Sequence, residues 1–148
     1  MKFYTTSTFR QTLASLTKKP KEGYKSVIKD VCKALLSMEP SIIRDTNDRI
    51  KQFEDFRVVK LRLPNSGQHL SRPDGFRLIY YVSLISDDVA LLRIYPKRGP
   101  QGIVDLVDEE YDRLLFEMVT ENNNKTLHQV DIKNSLADLD TKANMFDL

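Results

Sequence analysis

The sequence predicts an α+β fold: an N-terminal strand, a helical hairpin, an antiparallel β-meander and a C-terminal helix. Three observations predict it. Residues 24–38 carry an apolar stripe at helical spacing (Val27, Ile28, Val31, Ala34, Leu35, Met38). Three runs rich in β-branched and aromatic residues follow at 56–63, 76–84 and 89–97, joined by short polar connections. Helices early and strands late argue for one sheet with helices on one face, rather than an alternating α/β sheet.

Each element has its own signal. Lys2–Thr6 (KFYTT) is a short strand candidate. The next segment, TSTFRQTLASLTKK, places Phe9, Leu13 and Leu16 at helical spacing, with Ser7 or Thr8 as N-cap. Pro20 and Gly23 break that helix, and Pro40 stops the second. Residues 41–55 are polar with scattered isoleucines and read as the connection to the sheet. PNSGQHLSRPDG (64–75) reads as a loop between the first two meander strands, and ISDD (85–88) as a tight connection between the last two. DEEYDRLLFEMV (108–119) is a helix whose first turn is acidic, as the helix dipole favours. ENNNKT (121–126) reads as a linker, and the stretch after it as a further weak helix or disorder. The expected organisation is a domain over residues 1–118 with an acidic extension over 119–148.

Net charge is +2, but it is unevenly spread. Residues 1–100 hold 19 Lys/Arg against 10 Asp/Glu, whereas residues 101–148 hold 4 against 11. A basic body suits a polyanion such as nucleic acid, and an acidic tail can oppose it. The single cysteine, Cys32, rules out a disulfide framework or a cysteine-based zinc site within the chain. No apolar run reaches the ~20 residues of a membrane span, and no signal peptide is read at the start. A cytoplasmic protein with no membrane association is the expectation.

Period-2 alternation sorts the strand residues by face. Val58, Lys60 and Arg62 share one face of the first meander strand. Arg77, Ile79, Tyr81 and Ser83 share one face of the second. Arg93, Tyr95 and Lys97 group with Val89 and Leu91 on the third. The expected arrangement is a helix-packed face and an open face gathering Lys60, Arg62, Arg77, Tyr81, Arg93, Tyr95 and Lys97, with Arg98 at the strand end. Cations beside aromatics on an open sheet can hold phosphates and stack bases. The same pattern suits a merely solvated outer face.

The segments Lys60-Leu61-Arg62, Gly75-Phe76-Arg77-Leu78-Ile79-Tyr80 and Tyr95-Pro96-Lys97, followed by the helix DEEYDRLLFEM, resemble the RelE/ParE superfamily of type II toxin–antitoxin toxins. The RelE/HigB branch is the nearest. The resemblance spans roughly residues 1–118. It implies a ribosome-dependent mRNA endoribonuclease, silenced by a cognate antitoxin protein. In the implied reaction the ribose 2′-OH attacks the adjacent phosphate without a metal or other cofactor. Position by position, it implies catalytic roles for Lys60, Arg77 and Arg98, with Arg77 on the scissile phosphate. Arg62 and Lys97 would support phosphate binding, and Tyr81 and Tyr95 would stack a base. Arg93 is a plausible further RNA contact.

The sequence also departs from the family pattern. Val58 stands where a second lysine is common, and no histidine follows Arg98 before the last helix. Tyr111 reads as packed within that helix. His69, in the loop before Gly75, is a further RNA-contact or base candidate, and the general base stays open. The alternatives are a ParE-like toxin that poisons gyrase without being an enzyme, and an inactive homologue that only binds antitoxin or RNA. For the acidic extension, folding over the basic face, docking of the antitoxin and disorder all remain open.

Overall fold

In the computed structural model, which describes residues 1–38 and 49–133, the chain is α+β: three helices and a six-stranded mixed sheet among the described residues. Strand β1 (Phe3–Thr5) leads into α1 (Ser7–Thr17), and α2 (Val27–Leu36) follows a short turn. Strands β2 (Arg49–Gln52), β3 (Phe56–Leu63), β4 (Phe76–Ser83) and β5 (Val89–Pro96) form an antiparallel meander. Helix α3 (Asp108–Asn123) and strand β6 (His128–Val130) complete the described chain. The sheet order is β2-β3-β4-β5-β1-β6, with β1 parallel to β5 and antiparallel to β6.

The cap of α1 is Thr6, one residue before the expected Ser7 or Thr8. Its hydroxyl accepts the Phe9 amide at 3.2 Å. Helix α2 buries the predicted stripe through Val27, Val31 and Leu35, along with Cys32. These side chains meet Phe9, Leu13 and Leu16 of α1 and the sheet residues Val59, Leu63, Phe76, Leu78, Tyr80, Val82, Val89, Leu91 and Ile94. Burial pushes the Cys32 thiol up to about 11 and raises the Tyr80 phenol above its ordinary value. Pro40 lies outside the described residues.

Helices cover both faces of the sheet, not one. Tyr111, Leu114 and Met118 of α3, with Leu106 before it, bury against Val58, Ile79, Ala90, Leu92 and Tyr95. The face expected to be open is therefore largely a second core. The reason is competition for space: α1 and α2 already fill the first face, and α3 needs somewhere to bury its own apolar row.

Strand β5 also departs from simple alternation. Ile79 pairs with Arg93 while the next residue, Tyr80, pairs with Leu91, so Leu92 is an extra residue, a β-bulge. The bulge resets the alternation. Val89 and Leu91 join the α1/α2 core, while Leu92 and Tyr95 face α3. The expected grouping of Val89 and Leu91 with Arg93 and Tyr95 is thereby corrected.

Helix α3 continues through residue 118 to Asn123, and the stretch read as a linker from Glu121 begins inside it. The Glu121 carboxylate accepts the Ser7 amide at 3.1 Å and lies 4.0 Å from Arg10. The Glu117 carboxylate accepts both the amide and the hydroxyl of Thr8, at 3.1 and 2.7 Å. Helix α3 thus supplies the negative charge that the N-terminus of α1 lacks in its own first turn. Beyond it β6 pairs with β1, and Val130 and Ile132 enter the first core. Within 119–133, then, Val130 and Ile132 are buried and β6 forms the sheet edge beside β1, while most of the other side chains are exposed. The rest of the expected extension, 134–148, lies outside the described residues.

Candidate functional site

Register places the candidate residues in rows across β3, β4 and β5. Lys60 pairs with Ile79, which pairs with Arg93. Arg62 pairs with Arg77, which pairs with Tyr95. Both rows lie on the α3 side. Tyr81 sits on the same face but one row further back, opposite Val58 and Ala90. Its ring packs on Phe56 at a centroid distance of 5.1 Å. Tyr81 therefore belongs to an aromatic ladder at the other end of the sheet.

Arg77 is buried, 6% exposed. Its Nη1 donates to the carbonyls of Arg72 and Phe76 at 2.8 and 3.2 Å, and its Nη2 to the Pro73 carbonyl at 2.9 Å. The guanidinium thereby ties down the short turn Arg72–Asp74 that precedes β4. The adjoining Gly75 is needed for a close approach: a Cβ there would lie 2.0 Å from the Leu63 carbonyl oxygen. The loop is held further by Asp30 of α2, whose carboxylate accepts the Ser26 hydroxyl and the Ser66 amide at 2.8 and 3.0 Å.

The other candidates separate by exposure and partner. Arg62 is exposed. Lys60 is mostly covered, its side chain 16% exposed, with Nζ 3.6 Å from the Asp105 carboxylate. Arg98 is open to solvent and pairs with Asp74 through Nε at 2.9 Å and through Nη2 at 2.8 Å. Lys97 Nζ donates to the Val104 carbonyl at 2.7 Å. Arg93 pairs with Glu110 of α3 at 3.2 Å. His69 is exposed in a left-handed turn conformation (φ 54°), and its ring makes no hydrogen bond among the described residues.

Two residues that the sequence reading left aside belong to this cluster, Asp105 and Tyr111. Tyr111 is buried against Tyr95, and its hydroxyl makes no hydrogen bond of good geometry. Burial, followed by the proximity of Tyr95 and Asp105, raises its phenol above the ordinary value. Burial and then Asp105 raise Tyr95 likewise. Both phenols stay neutral, and their raised values make them weaker acids than a free phenol. Lys60, Asp105, Tyr95 and Tyr111 thus lie together, with Lys97 tied to the neighbouring Val104. Tyr95 and Tyr111 are 2% and 3% exposed, so Tyr95 offers no open face for the expected base stacking, and Arg98 sits apart with Asp74. Nothing in the spacing of Asp105 from the strands marks it in the sequence, because its approach to Lys60 depends on the fold-back of residues 99–107.

That fold-back starts at Gly99, whose φ of 86° suits glycine and whose absent Cβ leaves room for the Tyr24 hydroxyl. Tyr24 donates to the Arg98 carbonyl at 2.8 Å and accepts the Gln101 amide at 3.1 Å. Among the described residues no group of three His, Cys, Asp or Glu side chains is placed to hold a metal, and no helix is long and apolar enough to cross a membrane. No protein-family model, curated protein or solved structure matches this chain.

Proposed function

We propose that this chain is a RelE/HigB-like toxin of a type II toxin–antitoxin module, a ribosome-dependent endoribonuclease that cleaves mRNA without a metal. The observation that carries the reading is the placement of Lys60, Arg62 and Lys97 toward one end of the sheet on the α3 side, with the solvent-open Arg98 at the end of β5. The strand, helix pair, meander and helix order supports the superfamily assignment. In this reading Arg98, Arg62 and Lys97 hold RNA phosphates, and Lys60 stabilises the charge that develops as the 2′-OH attacks phosphorus. The 2′-OH gives up its proton to water and the departing 5′-oxygen takes one from water, while Tyr95 and Tyr111, 2% and 3% exposed, pack beneath the cations without touching RNA. Arg77 acts by fixing the turn that carries Asp74, rather than by touching RNA. The products are a 2′,3′-cyclic phosphate and a 5′-hydroxyl.

The test is to induce the chain in cells, isolate ribosome-bound mRNA and map its ends, then repeat with purified ribosomes. Cyclic-phosphate ends that vanish in Lys60→Ala are expected. Intact ribosome-bound transcripts would reject the reading. The burial of Arg77 favours a second reading, a non-enzymatic toxin or binding homologue of the same superfamily. Growth arrest with uncut mRNA and cleaved gyrase–DNA complexes would select the ParE-like form of it.

A further inference from the structure

The cations proposed to hold RNA already meet acceptors supplied by the protein. Asp105 approaches Lys60, the Val104 carbonyl accepts Lys97, and Asp74 accepts Arg98. Arg93, in the same row as Lys60, pairs with Glu110. Val104 and Asp105 come from one segment that folds back over the end of β5, where Ile103 N donates to the Pro96 carbonyl at 3.0 Å. Exposure shows which partner lies outermost. The Asp105 side chain is 61% exposed, whereas that of Lys60 is 16% exposed. An anion approaching Lys60 from solvent therefore meets Asp105 first.

We propose that Asp105 and Asp74 are internal stand-ins for substrate phosphates: they keep the site's cations neutralised until a polyanion displaces them. The inference rests on the nuclease reading for the polyanion being RNA, and it names how that site is restrained. The physical consequence is specific. A cation that binds RNA normally sheds the counterion its phosphate partner had condensed, which gives binding its steep salt dependence. A cation already paired with a carboxylate exchanges one fixed anion for another, and the freed carboxylate takes up a salt cation in turn. Part of the gain from counterion release is cancelled, so wild-type binding should be shallower in salt than its cation count implies.

The experiment is a salt titration of binding to a short single-stranded RNA carrying 2′-O-methyl groups, which cannot be cleaved through the 2′-oxygen. The full chain is compared with Asp105→Asn, Asp74→Asn, the double variant, and Glu54→Gln as a control carboxylate in the turn between β2 and β3. Each site variant should steepen the slope of log Kobs against log salt by about 0.7, the value per phosphate for single strands. The double variant should steepen it by about twice that. The control should leave the slope unchanged. Thermal melts of all variants verify that each is folded. Binding with slopes that match the control's would overturn the inference while leaving the nuclease reading intact. No RNA binding by the wild type or any folded variant would remove both.

Discussion

Truncating Arg77 separates a structural role from a catalytic one. The guanidinium is 6% exposed and donates to three carbonyls of the Arg72–Phe76 segment. Hydrogen bonds from a charged donor contribute about 1.5–3 kcal/mol each, and three on one group do not add fully. Water entering the vacated space re-solvates part of what is lost. Arg77→Ala should therefore cost about 3 kcal/mol. For a chain of this size each kcal/mol moves Tm by roughly 3–4 °C, so the melt should fall by roughly 10 °C. Arg77→Lys keeps the charge but cannot span the Arg72 and Pro73 carbonyls with one ammonium, and should recover about half of the loss. The assay is circular-dichroism melting of the three chains, with RNA cleavage measured well below each Tm. A truncation variant that melts like wild type yet has lost cleavage would refute the argument. It would mean that the guanidinium serves substrate and not the turn.

Gly75→Ala places a methyl group within 2.0 Å of the Leu63 carbonyl oxygen and 2.7 Å of the Asn65 amide nitrogen, both backbone atoms. Backbone must move, so the variant should lose about 3 kcal/mol or more, or fail to accumulate folded; a wild-type melt would contradict this. Cys32, its thiol pushed up to about 11 by burial, should alkylate at mildly alkaline pH on the order of a hundredfold more slowly in the native chain than in urea. Mass spectrometry reads the difference, and equal rates would show that the thiol is accessible.

Glu121 supplies a pH dependence. Burial holds its carboxyl above the ordinary range, although the Ser7 amide and Arg10 pull it down. The folded state therefore binds this proton more readily than the unfolded state. The stability Glu121 contributes is fully present below the ordinary carboxylate range and is lost as pH rises through its raised value. Glu121→Gln does not titrate, so its stability relative to wild type should increase with pH across that window. Paired urea melts at several pH values check this, and a flat difference would refute it. A chain ending at Met118 would lose the Glu121 cap, β6 and the buried Val130 and Ile132. It should unfold in urea without the cooperative transition of a chain ending at Lys133.

Local periodicity carried the sequence reading where neighbours along the chain decide the outcome. The stripe Val27, Val31, Leu35 forms a helix and buries, and Phe56–Leu63 alternates in β3 as its residues do. Gly75 marks the loop end because only backbone without a side chain fits there. The placement of Lys60 and Arg62 on one face of β3 also follows from alternation alone. Those features depend on residues two to four positions apart.

The rest is non-local. The bulge at Leu92 arises from pairing with β4, and it alone determines that Arg93 and Tyr95 part from Leu91. The second covered face follows from where α1 and α2 leave room for α3. Arg77 reads as a free cation in a GFR motif, yet three carbonyls of the preceding turn engage it. The capping of α1 by Glu117 and Glu121 spans more than a hundred residues of chain. Asp105 meets Lys60 only because residues 99–107 turn back over β5. The sequence by itself determined α1, α2, β1 and β3–β5, and which cations of β3 share a face, whereas β2, β6 and the last turn of α3 lay in stretches that read as connection, weak helix and linker. The tertiary structure decided what those cations touch, because a charge's partner is chosen by proximity in space, which no local pattern encodes.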